Sequence, residues 1–290
     1  MRTFVVLGAL LFAHAVHAEQ VERETAASPR GEVQIVNLSG DVRVIGWDQP
    51  KVRMQADLGR GVEEVEFERD EDLTRIRVKW PREKEAGATD LTIHVPREST
   101  LQIKTVSASQ TIENVSGEQR LQSVSGEIRT SVGSEDLDAK TVSGEIRVKG
   151  SGKSSSSRVS TVSGAIDLEQ MGGQFELTTV NGTIELRSAQ IEEARFNTTN
   201  GEIRIEGELA EDGRVAAEAI NGAIRLNLRG KVDAEFDIES FNGEIKNCFG
   251  PKARRTSQYG PGTALRFEEG DGDARVRIKT LNGTIEVCKK

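Results

Sequence analysis

The side chains in this sequence that could do chemistry are few, and their spacing limits what they could do. Cys248 and Cys288 are its two cysteines; in an oxidising compartment such a pair forms a disulfide if the Cα atoms come within about 7 Å. His94 is the one histidine beyond residue 18, and without a partnered nucleophile it reads as an ordinary strand residue rather than a base. Gly150-Ser151-Gly152-Lys153-Ser154 copies the end of a phosphate-binding loop, but the first glycine such a loop needs falls at Arg147, and no helix is predicted behind it. Asp271-Gly272-Asp273 could touch calcium, yet lacks the repeated acids of calcium-binding β-rolls. The remaining acids recur evenly, whereas polysaccharide cleavage needs carboxylates converging in one groove. The expectation is therefore no catalytic, cofactor-binding or metal-ligating residue, and no enzyme. One basic, aromatic-bearing stretch stands out on an acidic chain, the candidate interaction loop Lys252, Arg254, Arg255 and Tyr259.

What positions these residues is a repeat. Ser-Gly-Glu-Ile-Arg, Asn-Gly-Thr-Ile-Glu and close variants recur at Gly126, Gly144, Gly164, Gly182, Gly201, Gly222, Gly243 and Gly283, with spacings of 18, 20, 18, 19, 21, 21 and 40. Two residues after the glycine comes an unbroken isoleucine column, from Ile128 to Ile285. Four after it stands a Val/Leu/Ile column broken at Thr130 and Asn247. Two before it stand Val124, Val142, Val162, Val180, Ile220, Phe241 and Leu281, with Thr199 the exception; at five and seven before, Phe175 and Leu177 or Phe236 and Ile238 continue the pattern. Alternation on both sides of a glycine predicts two half-buried strands joined at a corner, with the residues two before the glycine counted in the apolar set.

A coil of about 20 residues cannot hold itself together, because six aliphatics at about 1.5–3 kcal/mol each do not cover the backbone entropy of ordering it. Like coils must stack. The fold class expected is all-β: a single-stranded parallel β-solenoid, β-helix-like, of about 18–21-residue coils. The corner glycine is expected to supply positive φ. Ahead of it, Asn181, Asn200, Asn221, Asn242 and Asn282 replace the earlier serines and would form a hydrogen-bonded corner ladder, with a polar binding stripe as the functional alternative. Mixed charges at the outward positions, such as Arg129, Arg147, Glu185 and Arg204, read as a solvated sheet face.

Toward the ends the pattern loosens. Residues 1–18 read as a secretory signal, with Arg2, an apolar stretch from Phe4 to Ala13 and a Val16-His17-Ala18 cleavage site. Residues 19–100 form an irregular β-rich start or cap, with Trp47 and Trp80 as core anchors, a loop over Pro81 to Thr89, and a half-length interval at Gly117 that delays regular coils until about 120. The repeat solenoid occupies 101–290, with excursion loops near 150–157, Ser-rich, and 250–262. If the segment between Cys248 and Cys288 loops out, their coils are neighbours and a disulfide staples the end; a degenerate coil centred on Gly262 would separate them instead.

Leu38-Ser39-Gly40-Asp41-Val42-Arg43-Val44 with Gly46-Trp47-Asp48, followed by Ser-Gly and Asn-Gly coils, resembles the bacterial putative-adhesin family of exported β-solenoid domains, over about residues 30–288. The resemblance implies a cell-envelope location and an adhesive or scaffolding role, with no established active-site residues. A net charge of −8 and a pI near 5.2 argue against nucleic acid, and no segment after residue 18 is apolar enough to be transmembrane. The function expected is a non-catalytic exported interaction or scaffold protein, periplasmic or at the cell surface, whose partner is an envelope polymer or protein. A polysaccharide-active enzyme and an envelope sensor are the alternatives.

Overall fold

The computed structural model describes residues 19–80, 87–258 and 260–290, and within them the protein is all-β, with no helix. The signal-like segment 1–18, residues 81–86 of the expected loop, and Tyr259 lie outside the described residues.

Each coil is a rung of two short strands meeting at the corner, and rungs stack in parallel. Ile128, Ile146, Ile166, Ile184, Ile203 and Ile224 pair in succession, and the column runs on through Ile285 to Ile245. All are buried. On the other strand, Ala139, Val159, Leu177, Phe196 and Ala217 form a second buried column. Thr130 breaks the aliphatic pattern because it bonds the buried Gln119, whose Nε2 donates to the carbonyls of Val115 and Ser131. Asn247 breaks it because there the chain leaves the rung, and its amide donates to the Pro251 carbonyl at 3.0 Å.

The stacking order departs from chain order at both ends. The Gly222 rung is followed in space by the last rung in sequence, Ala274–Asn282 with Ile285–Lys289. The Gly243 rung, Ala234–Asn242 with Ile245–Asn247, lies outside that one. Its outer edge is covered by Thr263–Glu269, running antiparallel. At the other end Glu32–Trp47 pairs on one side with Thr100–Glu113. On its other side it pairs with a rung made of Leu73–Lys79 and Asp90–Pro96. Antiparallel strands cover that outer rung in turn, Glu64–Asp70 on its first half and Lys51–Leu58 on its second, with Glu19–Ala26 beyond. Thus each terminal rung of the chain is tucked one place in, paired along both edges.

Several sequence expectations need correction. The residues two before the glycine point outward, not into the core: Val142 is 47% exposed and Phe241 51%. Positions seven, five and three before the glycine share a strand face, so the residue two before it must face the other way. The inward place belongs instead to Thr141, Thr161, Thr179 and Ser240, which are buried. The corner glycine is required chiefly by close approach rather than by positive φ, since a Cβ on Gly182 would stand 1.9 Å from the Gly164 carbonyl oxygen. The 150–157 stretch is not an excursion beyond Lys153, because Ser154–Ser163 is a strand, held in register by Gly172–Phe175, with Ser155 and Ser157 buried. Regular rungs begin at 100 rather than 120. Ala108 takes the corner position there, paired with Gly40, and Gly117 lies at the opposite corner against Ser99. Trp80 packs on the core as expected, but Trp47 lies half-buried on the outer face beside His94, ring centroids 5.0 Å apart, its Nε1 donating to the Lys51 carbonyl.

Candidate interaction surface

The outward residues two before each corner share one register and so line up along the stack. Leu38, Val106, Val124, Val142, Val162, Val180, Thr199, Ile220, Leu281 and Phe241 follow one another in space. The large apolar side chains that stand exposed among the described residues are all members of this row. At about 4.8 Å per rung it runs roughly 40 Å. Isolated exposed apolar residues are unremarkable, but a contiguous array is the kind of surface that binds something.

Both flanks of the row are polar. On the corner side, Asn200 Nδ2 donates to Asn181 Oδ1 at 2.9 Å, Asn221 to Asn200 at 2.9 Å, Asn282 to Asn221 at 2.7 Å and Asn242 to Asn282 at 2.9 Å. This unbroken amide ladder also records the exchanged order of the last two rungs. The positions four before the glycine make the other flank: Lys104, Gln122, Lys140, Ser160, Thr178, Asn197, Glu218, Lys279 and Glu239, in spatial order. Beneath the row, hydroxyls hold the corner from inside. Thr161 donates to the Gly144 carbonyl at 3.3 Å, Thr280 to Gly222 at 3.1 Å and Ser240 to Gly283 at 3.0 Å.

Toward the C-terminal end the row lies in an open groove of about 710 Å³, lined by Val180, Ile220, Leu281 and Phe241 with Thr256 and Thr263 at its far end. Lys279 at its rim bonds Glu239 at 2.7 Å. Of the candidate interaction loop, Arg254 and Arg255 form a two-residue strand against Thr263 and Ala264, both exposed. With Lys252 they border a separate depression beside Glu239 and Arg266. The loop and the apolar row therefore adjoin at one end without sharing a single site. Cys248 and Cys288 stand on adjacent rungs, joined as a disulfide with Cα atoms 4.8 Å apart.

The charged face beyond the corner is internally neutralised. Arg147 bonds Glu127 and Glu145, at 2.5 and 2.6 Å. Arg187 reaches Asp167 and Glu185, at 3.2 and 2.9 Å, and also Glu169. Burial raises the Asp167 carboxyl above its usual value, opposed by Arg187. The Asp271-Gly272 turn is tied to Asp233, whose carboxylate accepts both backbone N–H groups at 2.6 and 2.7 Å. Those bonds, the one from Gly272 foremost, hold the Asp233 carboxyl below its ordinary range. Among the described residues no cluster of His, Cys, Asp and Glu could hold a metal ion.

Sequence reasoning collected the row from Val124 to Phe241 but placed it inside, and did not include Leu38 and Val106. The parity of the positions and the Ser/Thr residues one step earlier were the signal that could have turned them outward.

The class these features define is a stack of parallel β-rungs carrying an exposed apolar row beside an amide ladder. Residues 172–288 match the family model described as Toastrack DUF4097, in keeping with the resemblance drawn from the corner motifs. No curated protein matches the chain. Among solved structures it is similar to a putative adhesin from Bacteroides fragilis, at 11% identity over 93% of this chain and 97% of that one, with a TM-score of 0.42. A putative adhesin from Parabacteroides merdae is 12% identical over 93% and 96%, TM-score 0.35. A putative lipid binding protein from Parabacteroides distasonis is 15% identical over 92% and 96%, TM-score 0.32. At such values the likeness says nothing of what this chain does.

Proposed function

We propose that this protein is a non-catalytic, exported scaffold of the cell envelope, adhesin-like, in which a single-stranded parallel β-solenoid presents the apolar row to an envelope partner, polymer or protein. The observation that supports this reading is the row itself. Among the described residues it is the one place where large apolar side chains stand in water, it runs from the Leu38 rung to the Phe241 rung, and its flanks are polar, as in a contact surface with a dry centre and a wet rim. The disulfide suits an oxidising compartment, periplasmic or at the surface.

Three measurements test the proposal. Fractionation of cells producing the protein should find it outside the cytoplasm, and a strictly cytoplasmic protein would end the envelope reading. Incubation with a panel of envelope glycans should leave them uncleaved, while Ile220→Lys should abolish whatever partner binding the native protein shows. New reducing ends or unsaturated products would make it a polysaccharide-active enzyme instead.

A further inference from the structure

The charged face closes on itself in ion pairs, and antiparallel strands cover the outer edge of the parallel rungs at both ends. The apolar row is where, among the described residues, the large apolar side chains stand exposed with nothing packed on them. Any occupant that covers it throughout must repeat at the spacing of the rungs, about 4.8 Å. An extended peptide lying along it would advance about 3.3 Å per residue and lose step within a few residues. A bilayer would meet Glu218 and Glu239 at the rim. A second copy of the chain has the required repeat by construction.

Resting on the scaffold reading, we propose that the apolar row is the interface of an antiparallel, two-fold symmetric pair of copies of this protein, centred on Val180. A two-fold axis lying across the row reverses the order of the rungs and sets like flank against like flank. The row is graded, valines in its N-terminal half and Ile220, Leu281 and Phe241 in its C-terminal half. Reversal about Val180 therefore sets small against large, Val106 opposite Phe241, as interdigitating layers require. The same operation puts Lys104 of one copy opposite Glu239 of the other, and Lys140 opposite Glu218. Lys104, Lys140 and Glu218 are exposed. Lys279, which sits between the two acids, meets the neutral Gln122. On the corner side the serine half faces the asparagine half, hydroxyl to amide. Apolar grading, charge and hydrogen bonding thus select one register. A strip roughly 40 Å long with both flanks supplies on the order of 800 Å² per copy, the size of a stable interface.

Sedimentation velocity on the purified protein at micromolar concentration is expected to give a dimer. Ile220→Lys combined with Phe241→Lys should give a monomer with unchanged circular dichroism, since both side chains are already in water. Lys140→Glu should weaken the dimer by roughly tenfold or more, and adding Glu218→Lys should restore it. Val180→Cys should form an intermolecular disulfide under mild oxidation while Leu38→Cys does not. A native protein that stays monomeric, or a dimer indifferent to the row substitutions, overturns the proposal. If that monomer still captures an envelope partner through Ile220 and Phe241, the scaffold reading survives and only self-pairing falls; a monomer that binds nothing removes both.

Discussion

A methyl group added at Gly222 would sit 1.7 Å from the Gly201 carbonyl oxygen, so the corner tolerates no side chain however small. Gly222→Ala should cost about 1–3 kcal/mol, as overpacking does, read as a lowered urea midpoint. One position earlier, Asn221 both donates to Asn200 and accepts from Asn282. Asn221→Asp keeps the acceptor and deletes the donor, leaving two oxygens face to face, and should lower stability by about 1 kcal/mol or more. His94 supplies a pH dependence. Its pKa is lowered, first by burial and then by Arg53 and Arg43, so folding favours the neutral ring. The unfolded chain takes up its proton first, near the ordinary value of about 6.5. The stabilising contribution is complete above that value and is lost as pH falls through the lower folded-state pKa. The melting temperature should therefore drop as pH falls below about 6.5, and less so in His94→Gln.

The exchanged rungs have a physical logic at the level of the element. A rung at the end of a stack has one unpaired edge, and a chain terminus in that place would fray. Here Ala274–Lys289 is inserted between the Gly222 and Gly243 rungs, and an internal segment serves as the outer layer, with Phe267 stacked on Phe236 at 4.5 Å. The disulfide joins the inserted rung to the Gly243 rung across 40 residues, a loop whose closure contributes about 4 kcal/mol in the chain-entropy view. Cys248→Ser with Cys288→Ser should therefore lose hydrogen-exchange protection over 234–289 before the central rungs are affected. Protection falling evenly along the chain would contradict this. At this scale the sequence was ambiguous: a gap of 40 fits either a degenerate coil or a looped segment, and spacing alone cannot say which rung lies beside which.

For the whole molecule, stability is a sum over neighbouring rungs that are unstable singly. Truncation after Asp273 removes one rung in sequence but two in space, because the Gly243 rung touches the stack only through it. The truncated protein should lose the order of 234–269 as well and aggregate through the edge bared on the Gly222 rung. Light scattering and circular dichroism check both; a monomer retaining that order would refute the exchanged stacking.

The repeat spacing and the isoleucine column determined the rung, its corner and its parallel stacking, since a period of two with a fixed coil length leaves little other way to bury those side chains. The tertiary structure alone decided the order of the outer rungs, whereas the outward direction of the row from Val106 to Phe241 was written in strand parity and hidden by the apolar character of its members. Order depends on which edges are left to pair once the middle is built, and that is a property of the assembled sheet. Direction follows the alternation of the strand up to the corner, where a residue's apolar character does not tell which side of the chain is dry.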